Sequence, residues 1–140
     1  MSFSDERWHR YVLAYGIEVS REEVEEELYL IRADMKHRMM YEQMSGGAPH
    51  PFPEMELEEQ SDALLEAAVF EVKEPLVLKD LAKKLDVTVT ADELLAEAKA
   101  MAERQNTTLD DLRRFFGEDF AFLERDVREN KIRAWACVQA

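Results

Sequence analysis

Cysteine is almost missing from this chain. Cys137 is the only one in 140 residues, so neither an intramolecular disulfide nor a thiolate zinc site can be built from it, and a reducing compartment is permitted. Its place in an apolar helix end fits a buried structural thiol better than a nucleophile, since no histidine stands near it in sequence. Glycine is scarce too. Gly16, Gly46, Gly47 and Gly117 cannot be arranged as a Walker loop or a dinucleotide fingerprint, both of which need closely spaced glycines at a helix start. Continuous apolar runs are lacking: Met1 to Tyr15 already mixes Asp5, Glu6, Arg7, His9 and Arg10 with single apolar residues. No signal peptide or spanning segment is therefore expected, and the cytoplasm is the expected location. His9, His37 and His50 are scattered without a metal partner at helical spacing, so surface histidines are expected and no metal or other cofactor. Positive charge is also short, with 18 Lys and Arg against 31 Asp and Glu and a net charge of -13. Such a surface repels phosphate, which argues against nucleic acid or anionic lipid as partners.

What is present is helical periodicity. Apolar spacings of three and four recur over most of the length, and strand-like alternation is confined to short stretches such as Val87-Thr88-Val89. The expected fold is all-α. Asp5 to Tyr15 reads as a first helix stopped by Gly16. From Arg21 to about Met44, the stripe Val24, Leu28, Ile31, Met35 and Met39 predicts a helix about 35 Å long at 1.5 Å per residue. Ser45-Gly46-Gly47 and Pro49, Pro51 and Pro53 then predict a loop over about 45–56. A second long helix follows from about Glu56 to Leu85, with Leu65, Val69, Val72 and Leu76 as its stripe and Leu78, Leu81 and Leu85 continuing on a shifted face. Pro75 interrupts it with a kink or a tight break. Helices Ala91 to Gln105, Leu109 to Phe116 and Glu118 to Val138 close the chain, placing Phe120, Leu123 and Val127 inward. Trp8 and Trp135 lie near opposite ends, which favours packing of the termini together. The reading is one domain over 1–140, extended, with a helical arm over 21–85 and closing helices over 91–140.

The two halves share a helix start. Ile17-Glu18-Val19-Ser20-Arg21-Glu22-Glu23-Val24 aligns with Val87-Thr88-Val89-Thr90-Ala91-Asp92-Glu93-Leu94 at an offset of 70 residues. Both read as capping boxes with acidic first turns, and Thr108 with Asp111 reads as a third. The run Leu76 to Leu94, a Leu-Val-Leu helix end followed by a Val-Thr-Val-Thr link and a newly capped helix, resembles the C-terminal domain of trigger factor, the bacterial ATP-independent chaperone. The order of the closing helices and the stretch Gly16 to Glu26 extend the likeness over most of the chain. The resemblance implies an all-α chaperone body that cradles unfolded or nascent polypeptide. It lacks the family's basic ribosome-docking loop, and its length leaves no room for the prolyl isomerase domain. Pro75 and the Gly46 to Pro53 loop depart from the family pattern. The chain thus reads as an excised chaperone body or a small stand-alone relative, with the SurA-type peptide-binding module as the second resemblance.

Within that reading, flexible and polarizable methionine suits a surface that accepts many apolar segments. Met35, Met39, Met40 and Met44 lie within ten residues. All four are candidate contacts with polypeptide: Met40 and Met44 fall off the core stripe, while Met35 and Met39 also continue it. Phe52, between two prolines, is an apolar loop tip. In the aromatic cluster, Phe116 and Phe120 at i, i+4 spacing suit core packing, leaving Phe115 and Phe122 as contact residues. The acidic runs Glu22-Glu23 and Glu25-Glu26-Glu27 read as solvated, dipole-matched faces instead of catalytic pairs, and no enzyme is expected. The expectation is a holdase for unfolded polypeptides that forms a homodimer when an apolar groove is left uncovered. The alternative is a helical adaptor for one defined partner.

Overall fold

A computed structural model describes residues 3–139. The described residues form seven α-helices and one short 3-10 turn, and no strand is found among them. The helices are α1 (Phe3–Ala14), α2 (Arg21–Met44), α3 (Pro53–Glu59), α4 (Ser61–Leu85), α5 (Ala91–Arg104), α6 (Leu109–Phe116) and α7 (Glu124–Gln139), with the 3-10 turn at Ala121–Leu123 before α7. None of the described helices is long and apolar enough to cross a membrane. The all-α expectation holds.

The helix starts follow the caps that the sequence supplies, but the three are not equivalent. Thr90 and Glu93 make the complete box: Thr90 Oγ1 accepts from the Glu93 N–H at 3.2 Å, and Glu93 Oε1 accepts from the Thr90 N–H at 3.1 Å. At α2, Ser20 Oγ accepts from the Glu23 N–H at 3.4 Å without the return bond being part of the cap. At α6, Thr108 Oγ1 accepts from the Asp111 N–H at 3.2 Å, while the shorter Asp111 side chain accepts instead from the Thr107 hydroxyl. Each arrangement satisfies one otherwise orphaned donor of the first turn.

Three expectations need correction. The segment from Glu56 to Leu85 is two helices, because Pro53 opens α3 at its first turn, where its missing N–H is no loss, and α3 ends at Gln60. Pro75, for its part, lies inside a continuous α4. Both Pro75 and Glu71, whose carbonyl the missing N–H would have reached, are on the exposed side, so the freed acceptor is not buried. The first stripe of α4 is off by one residue: Leu64, Ala68 and Val77 are buried, while Leu65 is exposed and Val69 and Leu76 are half-buried; Leu78 and Leu81, on the shifted face, are buried as expected. Finally, the last helix begins at Glu124 and not at Glu118: Gly117 ends α6 at φ 105°, and Phe120 takes a left-handed conformation at φ 56° before the 3-10 turn.

The chain makes two compact units, one of residues 12–77 and one of the segments up to Tyr11 and from Leu78 onward. In the first, Met39, Leu57 and Leu64 form a buried cluster against which Leu28, Ile31 and Met35 pack. Its one buried charge among the described residues, Lys73, donates from Nζ to the Leu13 carbonyl at 2.7 Å. In the second, Ala98, Ala102, Leu112, Phe120 and Leu123 make the core, with Leu94, Leu95, Met101 and Leu109 around it. There the ends of the chain do meet. Tyr11 packs edge-on to Trp135 at 6.3 Å, the Arg133 guanidinium lies 5.8 Å from the Trp8 ring centroid, and Arg7 donates to the carbonyl of half-buried Cys137. Lys131 of α7 ties the link and α5 together, donating to the Thr88 carbonyl at 2.7 Å and pairing with Glu93 at 2.9 Å.

Candidate functional site

In the unit of residues 12–77, α2, the loop 45–52 and α3 form a helical hairpin. Its turn depends on two glycines for different reasons. Gly46 sits at φ 80°, and a Cβ on Gly47 would come within 3.0 Å of the Glu42 carbonyl oxygen, which accepts the Gly47 N–H at 2.8 Å. Charge pairs then flank the apolar contact of α3 with α2. Lys36 pairs with Glu54, Arg32 lies 3.9 Å from Glu58, and His50 stands between Glu42, 2.8 Å from Nε2, and Glu56, 2.7 Å from Nδ1. His50 is therefore not the surface histidine expected from the sequence, since two carboxylates and the loop leave its side chain 16% exposed.

Those two hydrogen bonds, Glu42's first and Glu56's second, raise the His50 pKa above its ordinary value near 6.5, against a smaller opposing effect of desolvation. A raised folded-state pKa means that the clasp's contribution is fully present below the unfolded value and is lost as pH rises through the folded one. Hydrogen exchange of the loop amides 45–52 should accordingly accelerate, beyond its intrinsic pH dependence, on the alkaline side of the raised pKa. His50→Gln should remove that extra step, and a wild-type loop whose protection is flat across this range would contradict the clasp.

The apolar side chains that the hairpin leaves outside are numerous. Met40, Tyr41, Met44, Phe52 and Met55 are exposed, Met44 at 85%, and Tyr29 and Leu30 lie exposed farther down α2. An open groove of about 510 Å³ is lined by Tyr29, Ala33 and Met40 with Arg32, Lys36, His37 and Glu54. The contrast between Met39 and Met40 is a matter of angle: one residue turns a helix by about 100°, so Met39 enters the core with Met35 beside it while Met40 faces out. Met35 and Met39 are thus core residues and fall outside the exposed set.

In the other unit, Phe115 is 81% exposed. Phe116, expected inside, is exposed as well, and stacks on Phe122 with ring centroids 4.4 Å apart. The left-handed turn at Phe120, braced by Asp119 accepting from the Ala121 N–H at 3.2 Å, separates the neighbours. Phe120 goes into the core beneath the Arg113 guanidinium, and Phe122 goes to the surface. Sequence reasoning passed over Tyr29, Leu30, Tyr41 and Met55. The first three lay opposite the Val24 stripe by helical periodicity, which was the signal available.

Among the described residues no group of three His, Cys, Asp or Glu side chains is arranged to hold a metal ion. The chemistry on offer at both surfaces is apolar contact from methionine and aromatic side chains with charge around it. A family model described as the bacterial trigger factor protein C-terminus matches residues 12–137. No curated protein and no solved structure matches the chain significantly.

Proposed function

The chain belongs to the family of bacterial trigger factor C-termini, and on that premise we propose that it is an ATP-independent holdase for unfolded or nascent polypeptides in the cytoplasm. The family is the chaperone part of trigger factor, distinct from the prolyl isomerase domain. The observation that carries the proposal is the concentration of exposed methionine and aromatic side chains at the hairpin end of α2 and around α6. Met40, Met44, Phe52 and Phe115 stand out of their cores by half their surface or more, and Phe122 by 37%. Each such contact is weak, so affinity for a client comes from several engaged together. Methionine adapts its shape to whichever side chain it meets, and the charge of -13 keeps loaded complexes apart in solution.

The test is suppression of aggregation of several unrelated unfolded proteins without nucleotide. Protection of many supports the holdase, whereas protection of none together with tight binding of one cellular protein favours an adaptor. Replacing Met40, Met44, Phe52 and Phe115 together by serine is expected to reduce protection severalfold. The cost in stability should be small, within ~0.5 kcal/mol per site, because exposed positions lose little on substitution. A variant that unfolds early while still protecting clients would place these residues in the core and sink the assignment.

A further inference from the structure

The structure sorts the methionines of the described residues sharply by exposure. Met40, Met44 and Met55 are 58%, 85% and 61% exposed, whereas Met39 is 8% exposed in the core. Met35 and Met101 are half-buried, the first against the Met39, Leu57 and Leu64 cluster and the second against the core of the other unit. All three exposed thioethers thus fall within residues 40–55, where α2 and α3 make the hairpin. A thioether is an apolar group that an oxidant converts reversibly into a polar one. At this hairpin the sulfurs open to an oxidant are those outside the core, and the sulfur that holds the core together is covered.

We propose that Met40, Met44 and Met55 form a reversible oxidation site that releases polypeptide from the hairpin, an inference that rests on the holdase reading of this surface. The co-reactant is a hydroperoxide. A lone pair of the methionine sulfur attacks one peroxide oxygen, the O–O bond breaks and an S–O bond forms. The departing hydroxide takes the proton left on the transferred oxygen and leaves as water, so the sulfur is oxidised by two electrons and the peroxide is reduced. Hydrogen peroxide is uncharged, and the chain's net charge of -13 does not hold it off. Each sulfoxide oxygen stays hydrated while the side chain is free, so the fold loses little. Against an apolar client the same oxygen must be stripped of water, which is unfavourable. Three such losses act together, because client affinity is the sum of several weak contacts. The reverse step is reduction by a dithiol through a methionine sulfoxide reductase: the oxygen leaves as water and the dithiol becomes a disulfide.

The experiment treats the full chain, carrying Cys137→Ser to keep thiol oxidation out of the comparison, with hydrogen peroxide. Each added oxygen is located by peptide mass spectrometry, and suppression of client aggregation is measured on the same samples. Met44, Met55 and Met40 should gain oxygen before Met35, Met101 and Met39. Protection should fall severalfold at an unchanged melting temperature, and it should return with reductases for both sulfoxide epimers and dithiothreitol. In a second protein carrying Met40→Leu, Met44→Leu and Met55→Leu, each position keeps an apolar side chain without a sulfur. Whatever its protection beforehand, peroxide should leave it unchanged. The proposal is overturned if wild type protects equally well with all three oxidised, if the leucine protein loses as much to peroxide as wild type does, or if Met39 is oxidised as early as Met44. An untreated chain that protects no client is a different failure, because it removes the holdase reading itself and the release of clients with it.

Discussion

Leu57→Ala is expected to destabilise the unit of residues 12–77 by about 2–5 kcal/mol, the range for removing a fully buried leucine from a packed core. Leu57 is 0% exposed and closes the cluster with Met39 and Leu64. It is also the buried residue of a seven-residue helix too short to persist by itself. Loss of its side chain therefore removes the main apolar reason for α3 to lie on α2, leaving the charge pairs, which are mostly exposed and contribute little. Denaturant unfolding followed by hydrogen exchange should show α3 and the far half of α2 losing protection first. Met55→Ala in the same helix should change stability by no more than ~0.5 kcal/mol, since Met55 is exposed. Equal effects of the two would mean that α3 does not depend on this cluster.

Lys73→Met is expected to cost about 1–3 kcal/mol although it replaces a charged side chain by an apolar one of similar length. The Leu13 carbonyl lies in the last turn of α1, where backbone acceptors have no partner within the helix. Lys73 Nζ supplies that partner at 2.7 Å from a position only 7% exposed. The cation also matches the negative end of the helix dipole. Lys73→Ala should cost more, because packing of the aliphatic stem is lost with the hydrogen bond. A Lys73→Met protein as stable as wild type, measured by its denaturant midpoint at unchanged m-value, would show that the carbonyl finds another donor and that Lys73 is not a cap.

The helices were legible where local signals agree. Ser20, Thr90 and Thr108 mark three helix starts that the structure keeps to the residue, since the cap, the acidic first turn and the onset of periodicity coincide there. The break between α3 and α4 was not legible, as Gln60 and Ser61 carry no strong breaking signal and the proline that opens α3 looked like part of the loop. The shift of the α4 stripe has a plain cause. Leu64-Leu65 and Leu76-Val77 offer adjacent apolar residues, so two registers fit the sequence, and at the first pair packing against Leu57 and Met39 selects Leu64. Lys73 was hidden because its burial depends on a carbonyl sixty residues away. Of the contact residues, Met40, Met44, Phe52, Phe115 and Phe122 are exposed and Met35 and Met39 are not, an outcome that helical angle anticipates for the methionines. Phe116 misled because i, i+4 spacing to Phe120 presumes one continuous helix, whereas α6 ends at Gly117 and Phe120 turns left-handed beyond it.

The two ends of the pH scale act on different parts of this protein. Glu93, which accepts from Lys131 and from the Thr90 backbone, has its pKa lowered from the ordinary 4.5, chiefly by the Lys131 bond. A depressed folded-state value means that its contribution is complete above the unfolded pKa and disappears only as pH falls through the lower folded one. The link among Thr88, α5 and α7 thus survives mild acid. The His50 clasp fails in the opposite direction, toward base. Acid and alkali are therefore routes to two different partly opened molecules, one loosened at α5 and α7 and the other at the hairpin turn. A titration from neutrality would reveal which unit an observed activity depends on by the side from which that activity is lost.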